Sequence, residues 1–153
     1  MVKTVIEGIP ALREKLGQEL VVSDWYEITQ ERINQFAQAT GDFQWIHVDV
    51  PRAEKESVFG TTIAHGFLTL SLLSCFLVDS IEMRGMRMGV NYGLNRVRFT
   101  GPVASGSRVR ARFVLAAMED IQGGAQFTWT VTVEREGGEK PVLVAEWLTR
   151  RFF

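Results

Sequence analysis

The sequence contains very little cysteine and no excess of basic charge. Its 153 residues include one cysteine, and 17 Lys and Arg residues stand against 18 Asp and Glu, for a formal net charge of −1. A single cysteine excludes an intrachain disulfide and a cysteine-based metal centre, and it favours a reducing, cytoplasmic location. A chain without a basic excess is poorly suited to follow a phosphate backbone, so nucleic acid is not expected as a partner.

Long apolar runs are also missing. The most apolar stretch, residues 67–78, contains two serines and a threonine and is too short to span a bilayer. The first 17 residues lack the apolar core of a signal peptide. We therefore expect no membrane partner, and the length predicts one domain over residues 1–153 with a core large enough to fold without disulfides.

Helical spacing dominates the first half of the chain. Thr29 is suited to cap a helix over residues 30–40, and Gly41 is suited to end it. Residues 61–81 are apolar nearly all round, which predicts a helix buried on most sides and capped by Thr61 or Thr62. The same reasoning predicts three further elements: a helix within residues 9–20, a short strand over 21–28 and a short charged helix after Asp49.

The second half changes to a period of two, which is typical of strands with one face on a core. The alternating segments are residues 87–100, 108–115, 126–134 and 141–151, with glycine-rich turns at 122–124 and 136–139. One very apolar helix followed by four long antiparallel strands predicts an α+β fold. The favoured arrangement is the hot-dog fold, in which the antiparallel sheet wraps around the central apolar helix.

The stretch TGDFQWIHVD, residues 40–49, places a carboxylate and an imidazole five positions apart. Asp42 and His47 cannot meet as helical neighbours, and on an extended strand about 16 Å would separate them. A curled loop would bring them together, with the intervening apolar side chains packed beneath it. A purely structural pair, with an aspartate bonding loop amides and a buried histidine, is the simpler alternative for this spacing alone.

The segment GDFQWIH, followed after a spacer by HGFLTLSLLS, resembles the MaoC-like, (R)-specific enoyl-CoA hydratase family. Residues 41–47 match the family motif Gly-Asp-x-Asn-Pro-aliphatic-His except at Gln44 and Trp45, and this variant looks most like the nodulation-protein-N-like branch. The similarity covers about residues 20–150. It implies a hot-dog homodimer that hydrates trans-2-enoyl-CoA to (R)-3-hydroxyacyl-CoA, with no cofactor besides the coenzyme A carried by the substrate.

The resemblance also implies which residues do the chemistry. Asp42 and His47 become the catalytic pair. From the chemistry of hydration we assign Asp42 as the base toward water, with His47 orienting that water and sharing the proton transfer. Hydration creates negative charge on the thioester oxygen, so a donor is needed there. The backbone N–H of Gly66, in the first helical turn after Thr62, is the predicted oxyanion donor.

Four residues are predicted to support this site. Ser74 would position Asp42 through its hydroxyl, although a helix serine that bonds its own backbone is the plainer interpretation. Gln44 occupies the position of the family's Asn. Phe43 and Trp45 would line the acyl channel, with core packing as the alternative.

Other residues near this motif are given structural rather than functional roles. His65 could be a second base or a metal ligand, but two histidines with no clustered carboxylates make a poor metal site, so we expect no metal. Cys75 is interpreted as a small core residue rather than a nucleophile. Arginines 108, 110 and 112 could meet the phosphates of coenzyme A, but a solvated strand face is the preferred interpretation.

Two other functions stay open. A hot-dog thioesterase also binds acyl-CoA and can use a carboxylate, but the paired His47 argues against it. A non-catalytic acyl-thioester-binding subunit would keep the fold and the pocket without needing proton carriers, and both carriers are present here.

Overall fold

A six-stranded antiparallel sheet holds most of the second half of the chain. The computed structural model describes residues 2–153. In chain order the elements are β1 (Thr4–Glu7), α1 (Gly8–Arg13), β2 (Glu19–Val22), β3 (Tyr26–Glu27), α2 (Gln30–Thr40), α3 (Trp45–Val48), α4 (Val50–Glu56), α5 (Gly66–Ser71), α6 (Leu73–Ser80), β4 (Ile81–Arg84), β5 (Met88–Phe99), β6 (Arg108–Ile121), β7 (Gly124–Arg135) and β8 (Leu143–Phe152). The sheet order is β2-β6-β7-β8-β5 with β3 also paired to β6, while β1 and β4 form a separate parallel pair.

The period-two pattern produces the core of this sheet. Val109, Phe113 and Leu115 on β6 are fully buried, and Phe113 pairs with the equally buried Val131 of β7. The glycine-rich turns fall where the sequence places them, and Gly123 adopts a positive φ of 79° that L side chains rarely tolerate. Sequence reasoning therefore located the long antiparallel strands correctly.

The apolar helix packs on the inner face of the sheet as α5 and α6, which follow each other with Leu72 between them. Leu73, Phe76 and Leu77 carry the contact, and each is buried to 98% or more. This packing gives the predicted α+β architecture of a sheet around a central helix. The sequence predicted burial on most sides of this helix, but its opposite face is exposed, since Phe67 and Val78 are 67% and 53% exposed.

The start of this helix lies later than predicted. Neither Thr61 nor Thr62 caps it, since the N-cap is His65 and the first helical residue is Gly66. Residues 62–65 are extended instead, and the backbone N–H groups of Ile63 and Ala64 bond to other segments. The N–H of Ile63 donates to the carbonyl of Ile46 at 3.0 Å, and that of Ala64 donates to Val103 at 2.8 Å. These tertiary bonds replace the helical ones that the apolar pattern predicts.

The caps around the first helices follow the sequence. The Thr29 hydroxyl accepts from the N–H of Arg32 at 3.2 Å, and Gly41 ends α2 with a φ of 80°. Asp49 caps α4 through the N–H of Arg52 at 3.1 Å. The predicted helix over 9–20 is shorter, because α1 ends at Arg13, and the predicted strand over 21–28 forms as β2 and β3.

One strand departs from the two-faced pattern. β5 ends the sheet, with β8 on one side, and most of its residues are exposed. Large apolar side chains are among them, namely Met88 (52% exposed), Val90 (38%), Tyr92 (54%), Leu94 (41%) and Phe99 (48%). Within residues 2–153, no helix has the length and apolar character needed to cross a membrane.

Candidate active site

The loop after α2 carries the predicted carboxylate. Gly41 turns the chain out of the helix, and the Oδ1 atom of Asp42 accepts from the N–H of Gln44 at 3.3 Å, closing a local turn. Asp42 is exposed. The chain then forms α3, a single turn that aims His47 inward and that the sequence did not predict.

His47 is buried to 93% and is held from both ends. Its Nδ1–H donates to the carbonyl of Ile63 at 2.7 Å, and its own carbonyl accepts from the side-chain amide of Gln30 at 2.7 Å. With the proton on Nδ1, the Nε2 atom keeps its lone pair and can accept a proton.

Burial is the main influence on the proton affinity of this ring. It lowers the pKa of His47 below the ordinary value of 6.5, and the charge of neighbouring His65 acts in the same direction. The bond to the Ile63 carbonyl and the negative charge of Asp42 partly oppose the shift. His47 is therefore neutral at pH 7, the state in which it can serve as a base.

Three groups converge at this place. A carboxylate oxygen of Asp42 and one ring nitrogen each of His47 and His65 all lie within 4.8 Å of one another. The curled loop proposed from the sequence thus brings the pair together across five positions. The sequence argument against His65 was wrong on one premise, because a carboxylate does lie beside both histidines.

These three side chains have the spacing of a cation site, but the ring orientation is unfavourable for one. The imidazoles of His47 and His65 are stacked, with centroids 3.9 Å apart and planes 25° from parallel. The lone pairs of two stacked rings lie in nearly parallel planes, so they do not converge on a single ion at tetrahedral geometry. One ring would have to rotate out of the stack before both could ligate.

Gly66 follows directly, as the first residue of α5. The backbone N–H of a first helical residue has no carbonyl partner within its own helix, so it is free to meet an external oxygen. A Cβ at this position would lie 3.0 Å from the ring of Phe99. The glycine therefore lets Phe99 approach closely, which explains the residue type as well as the oxyanion hypothesis does.

Ser74 lies elsewhere. Its hydroxyl exchanges long hydrogen bonds with the side-chain amide of Asn91 on β5, at 3.3 and 3.4 Å. Both residues line a cavity of about 210 Å³ between the helix and β5. Among residues 2–153, the hydrogen-bond partner of the Ser74 hydroxyl is Asn91, and the role of Ser74 in positioning Asp42 stays a prediction.

The residues between the two proton carriers are less buried than predicted. Phe43 is 57% exposed and Gln44 is also exposed, so the loop does not cover them. Gln44 contacts Asp42 through its backbone N–H. Trp45 is half-buried beneath the guanidinium of Arg52, which lies 4.3 Å from its ring centre. A role for Phe43 and Trp45 in binding an acyl chain stays a prediction.

Sequence reasoning missed the residues that hold His47. Gln30 donates to the His47 carbonyl and accepts from the hydroxyl of Thr62 at 2.5 Å. Thr62 adds a further anchor, because its carbonyl accepts from the N–H of Ser105 at 2.9 Å. No local signal marks these residues, since each acts on a group far away in the chain.

An antiparallel sheet around an apolar helix, with an aspartate and a histidine meeting at the start of that helix, defines a hot-dog protein of the hydratase type. Comparison with known proteins agrees, since the MaoC like domain matches residues 12–137. 3-Hydroxyacyl-thioester dehydratase Z of Mycobacterium tuberculosis (strain ATCC 25618 / H37Rv) is 50% identical over 145 residues, covering 94% of this chain and 95% of the relative.

Two further proteins are similar. Nodulation protein N of Rhizobium leguminosarum bv. viciae is 51% identical over 138 residues, covering 88% of this chain and 85% of the relative. The solved structure of R-hydratase PhaJ1 from Pseudomonas aeruginosa superposes with a TM-score of 0.71 at 24% identity, covering 88% of this chain and 79% of that one, which shows the shared fold. The chain belongs to the MaoC-like dehydratase family, and it is an enzyme of the hydro-lyase class.

Proposed function

We propose that this protein hydrates trans-2-enoyl-CoA reversibly to (R)-3-hydroxyacyl-CoA. The observation that carries the proposal is the convergence of the Asp42 carboxylate with the His47 ring next to the start of α5. The names of the relatives support the substrate class, since dehydratase Z acts on 3-hydroxyacyl thioesters by its name. The reaction needs no cofactor, because coenzyme A enters as part of the substrate.

The proton carriers suit the addition of water across a conjugated double bond. Asp42 faces solvent with a carboxylate that can take a proton from the attacking water, and the neutral His47 presents the lone pair of Nε2 to orient it. As water adds to C3, a proton reaches C2 from one of the two groups. A well-placed acid or base contributes about 10²–10⁴-fold to such a step.

The oxyanion donor of the proposal is the N–H of Gly66. His65, the residue before it, bonds the backbone of Asp42 at 3.0 Å, so the helix start and the carboxylate belong to one local assembly. A thioester bound there would place its oxygen against an N–H that lacks a helical partner. A donor of this kind stabilises the negative charge that develops on the thioester oxygen.

A simple assay tests the function. Purified protein is mixed with crotonyl-CoA, and the enoyl absorbance and the free thiol are followed together. Loss of absorbance without thiol release is the expected result. Release of thiol would indicate the thioesterase alternative, and no change in either signal would indicate a non-catalytic acyl-thioester-binding subunit.

The protein acts as a homodimer in this proposal, joined through β5. That strand ends the sheet, and its exposed apolar side chains need cover. The exposed Phe67 of the helix lies against Phe99 of β5, with ring centroids 5.7 Å apart, so the apolar surface continues from strand to helix. A second copy paired edge to edge would cover this surface by two-fold symmetry.

Light scattering tests the assembly. Leu94→Asp places a charge in the β5 surface and is expected to produce a monomer with lower activity. Val5→Asp is the matched control, because Val5 is 43% exposed on β1, outside the six-stranded sheet, and should leave a dimer. An active wild-type monomer at assay concentration would contradict the dimer. The location in the cell stays a prediction from the single cysteine.

A further inference from the structure

The proposed reaction uses Asp42 and His47, but a third group of the same cluster has no part in it. His65 is buried to 97%, between the ring of His47 and the ring of Phe36, whose centroids lie 3.9 and 4.9 Å away. The residue also ends the extended segment that precedes α5 and serves as the N-cap of that helix without a side-chain cap bond. Its imidazole therefore does not cap the helix, and its burial has another reason.

The two ring nitrogens of His65 are treated differently. Nε2 lies 3.0 Å from the backbone carbonyl of Asp42, a residue 23 positions earlier in the chain. A carbonyl only accepts, so the proton is on Nε2 and this atom donates. Nδ1 is buried, and among the described residues it has no hydrogen-bond partner. A buried nitrogen without a partner costs stability, which a purely apolar side chain such as phenylalanine would avoid at this place.

We propose that His65 is the positioning residue of the catalytic pair: its Nε2–H holds the backbone of Asp42, and its ring supports and covers the imidazole of His47. The proposal rests on the function proposed above and adds a residue to it. The two tasks use different parts of one side chain. The bond acts on the exposed loop that carries the carboxylate, and the stacked face acts on the buried base.

The bond to Asp42 matters because the other bonds of that loop are local, from the N–H of Gly41 to Ala37 and from the N–H of His47 to Gln44. Asp42 is exposed, and its carboxylate closes a turn only through the long bond from Gln44. The His65 bond ties this loop to the start of α5, where the reacting oxygen is proposed to lie. Displacement of a reacting group by about 1 Å can cost on the order of 100-fold in rate.

The stacked face matters because His47 depends on exclusion of water. Burial is the largest cause of its lowered pKa. The titratable groups acting on its ring are Asp42 from the loop and His65 from the start of α5. From α4, Arg52 lies over Trp45 and pairs with Glu56, and α2 presents the uncharged Gln30 to the His47 carbonyl. Loss of the covering ring would expose His47 to solvent and raise its pKa toward the ordinary value.

Two substitutions separate the tasks. His65→Phe keeps a flat ring in the stack and removes the donor, whereas His65→Gln keeps an N–H near the position of Nε2 and removes the ring. The chain contains two histidines, so either variant leaves His47 as the only imidazole and its ring signals need no assignment. ¹⁵N-histidine NMR then reports the titration of His47, and kcat and KM with crotonyl-CoA report the chemistry.

The two variants are expected to differ in opposite ways, one mainly in kcat and the other mainly in the pKa of His47. His65→Phe should lose about 10–100-fold in kcat with KM changed less. Both variants lose the charge effect of His65 on His47, so the pKa of His47 should rise less in His65→Phe, which keeps the covering ring, than in His65→Gln. His65→Gln should retain more of kcat at pH 8, but His47 should titrate at higher pH and the acid limb of kcat/KM should move with it. Thermal melting of both variants checks the fold, and the measured rates are compared at temperatures where each is folded.

Two results would overturn the proposal. One is an unchanged His47 titration in His65→Gln together with wild-type kcat in His65→Phe. The other is equal loss of kcat in both variants with identical pH profiles, which indicates a structural role only. The NMR measurement does not require turnover, so failure of the wild type to hydrate crotonyl-CoA would contradict the proposed function while the stacking is still tested.

Discussion

The candidate site joins a buried half to an exposed half. His47 is 7% exposed, its imidazole is bonded to the Ile63 carbonyl, and its backbone carbonyl is bonded to the Gln30 amide. Asp42 is exposed, and the contact described for its carboxylate is a 3.3 Å bond within its own turn. One member of the pair is therefore part of the core, and the other lies on a surface loop.

The positions of the two side chains therefore depend on different parts of the molecule. The position of His47 follows from the packing of α2, α3 and the extended segment before α5, so the folded chain orients the base before substrate arrives. The carboxylate depends on its loop anchor and on whatever covers the loop, such as substrate. Replacing His47 should consequently affect folding and rate together, whereas replacing Asp42 should affect rate alone.

The largest effect is expected from Asp42→Asn, which removes the charge and keeps the shape. The value of kcat for crotonyl-CoA should fall by about 10²–10⁴-fold, with the melting temperature changed by less than about 2 °C. Asp49→Asn is the matched control, since asparagine can replace aspartate as the cap of α4. A control as slow as Asp42→Asn would show that the loss is not specific to the site.

His47→Gln should lower kcat by a similar factor and also destabilise the protein. It breaks the bond to the Ile63 carbonyl and the stack with His65, and a lost buried bond costs about 1–3 kcal/mol. For a chain of this size each kcal/mol shifts the melting temperature by about 2–4 °C. Equal melting temperatures for this variant and Asp42→Asn would contradict the division into a buried and an exposed half.

Gly66→Pro tests the backbone N–H of Gly66, which is proposed to donate to the thioester oxygen between the buried His47 and the exposed Asp42. Proline is favoured at a first helical position, and the ψ of His65, 137°, already suits a residue that precedes proline. Loss of one oxyanion donor is expected to lower kcat by about 10²–10³-fold.

Gly66→Ala is the control for that experiment. It places the same Cβ 3.0 Å from the exposed ring of Phe99, which can shift, but it keeps the N–H. The alanine variant should be much faster than the proline variant at equal stability, measured by circular dichroism and thermal melting. Equal rates in two folded variants would exclude the N–H as a donor.

The pH dependence follows from the buried half. Because the folded pKa of His47 lies below 6.5, the unfolded chain binds this proton more tightly. The stability from neutral His47 is therefore fully present above about pH 6.5 and is lost as the pH falls toward the folded pKa.

The pH dependence of activity should also arise from protonation of His47. The value of kcat/KM should be constant near pH 7 and fall by up to about tenfold per pH unit below the folded pKa. Asp42 raises the pKa of His47, so Asp42→Asn should move the remaining limb to still lower pH. A pH–rate profile of both proteins measures this shift. A limb that moves to higher pH would contradict the assigned interaction.

The smallest effect is expected from Gln30→Ala, which removes one anchor of His47 but no reacting group. The loss should be about 1–3 kcal/mol in the free energy of unfolding by urea titration, with kcat reduced only a few-fold. Gln35→Ala, on the exposed face of the same helix, is the matched control, because its amide makes a 3.4 Å surface contact with Glu31. Equal stability of the two variants would show that Gln30 does not support the site.

Local chemistry made much of this protein predictable from its sequence. The caps at Thr29 and Gly41, the turn at 122–124 and the alternation of β6 and β7 depend on neighbours a few positions away, and the structure confirms them. The Asp-His pair could be picked out for a related reason, because its two members lie on one short loop.

Tertiary contacts decided the rest. The apolar pattern over 61–81 cannot reveal that Ile63 and Ala64 bond to Ile46 and Val103 instead of forming a helical turn. These bonds delay the start of the helix to Gly66. The exposure of β5 and the contact of Ser74 with Asn91 likewise depend on strand order. His65 meets Asp42 and His47 only once the chain is folded, because a hydrogen bond across 23 positions has no local signature in a sequence.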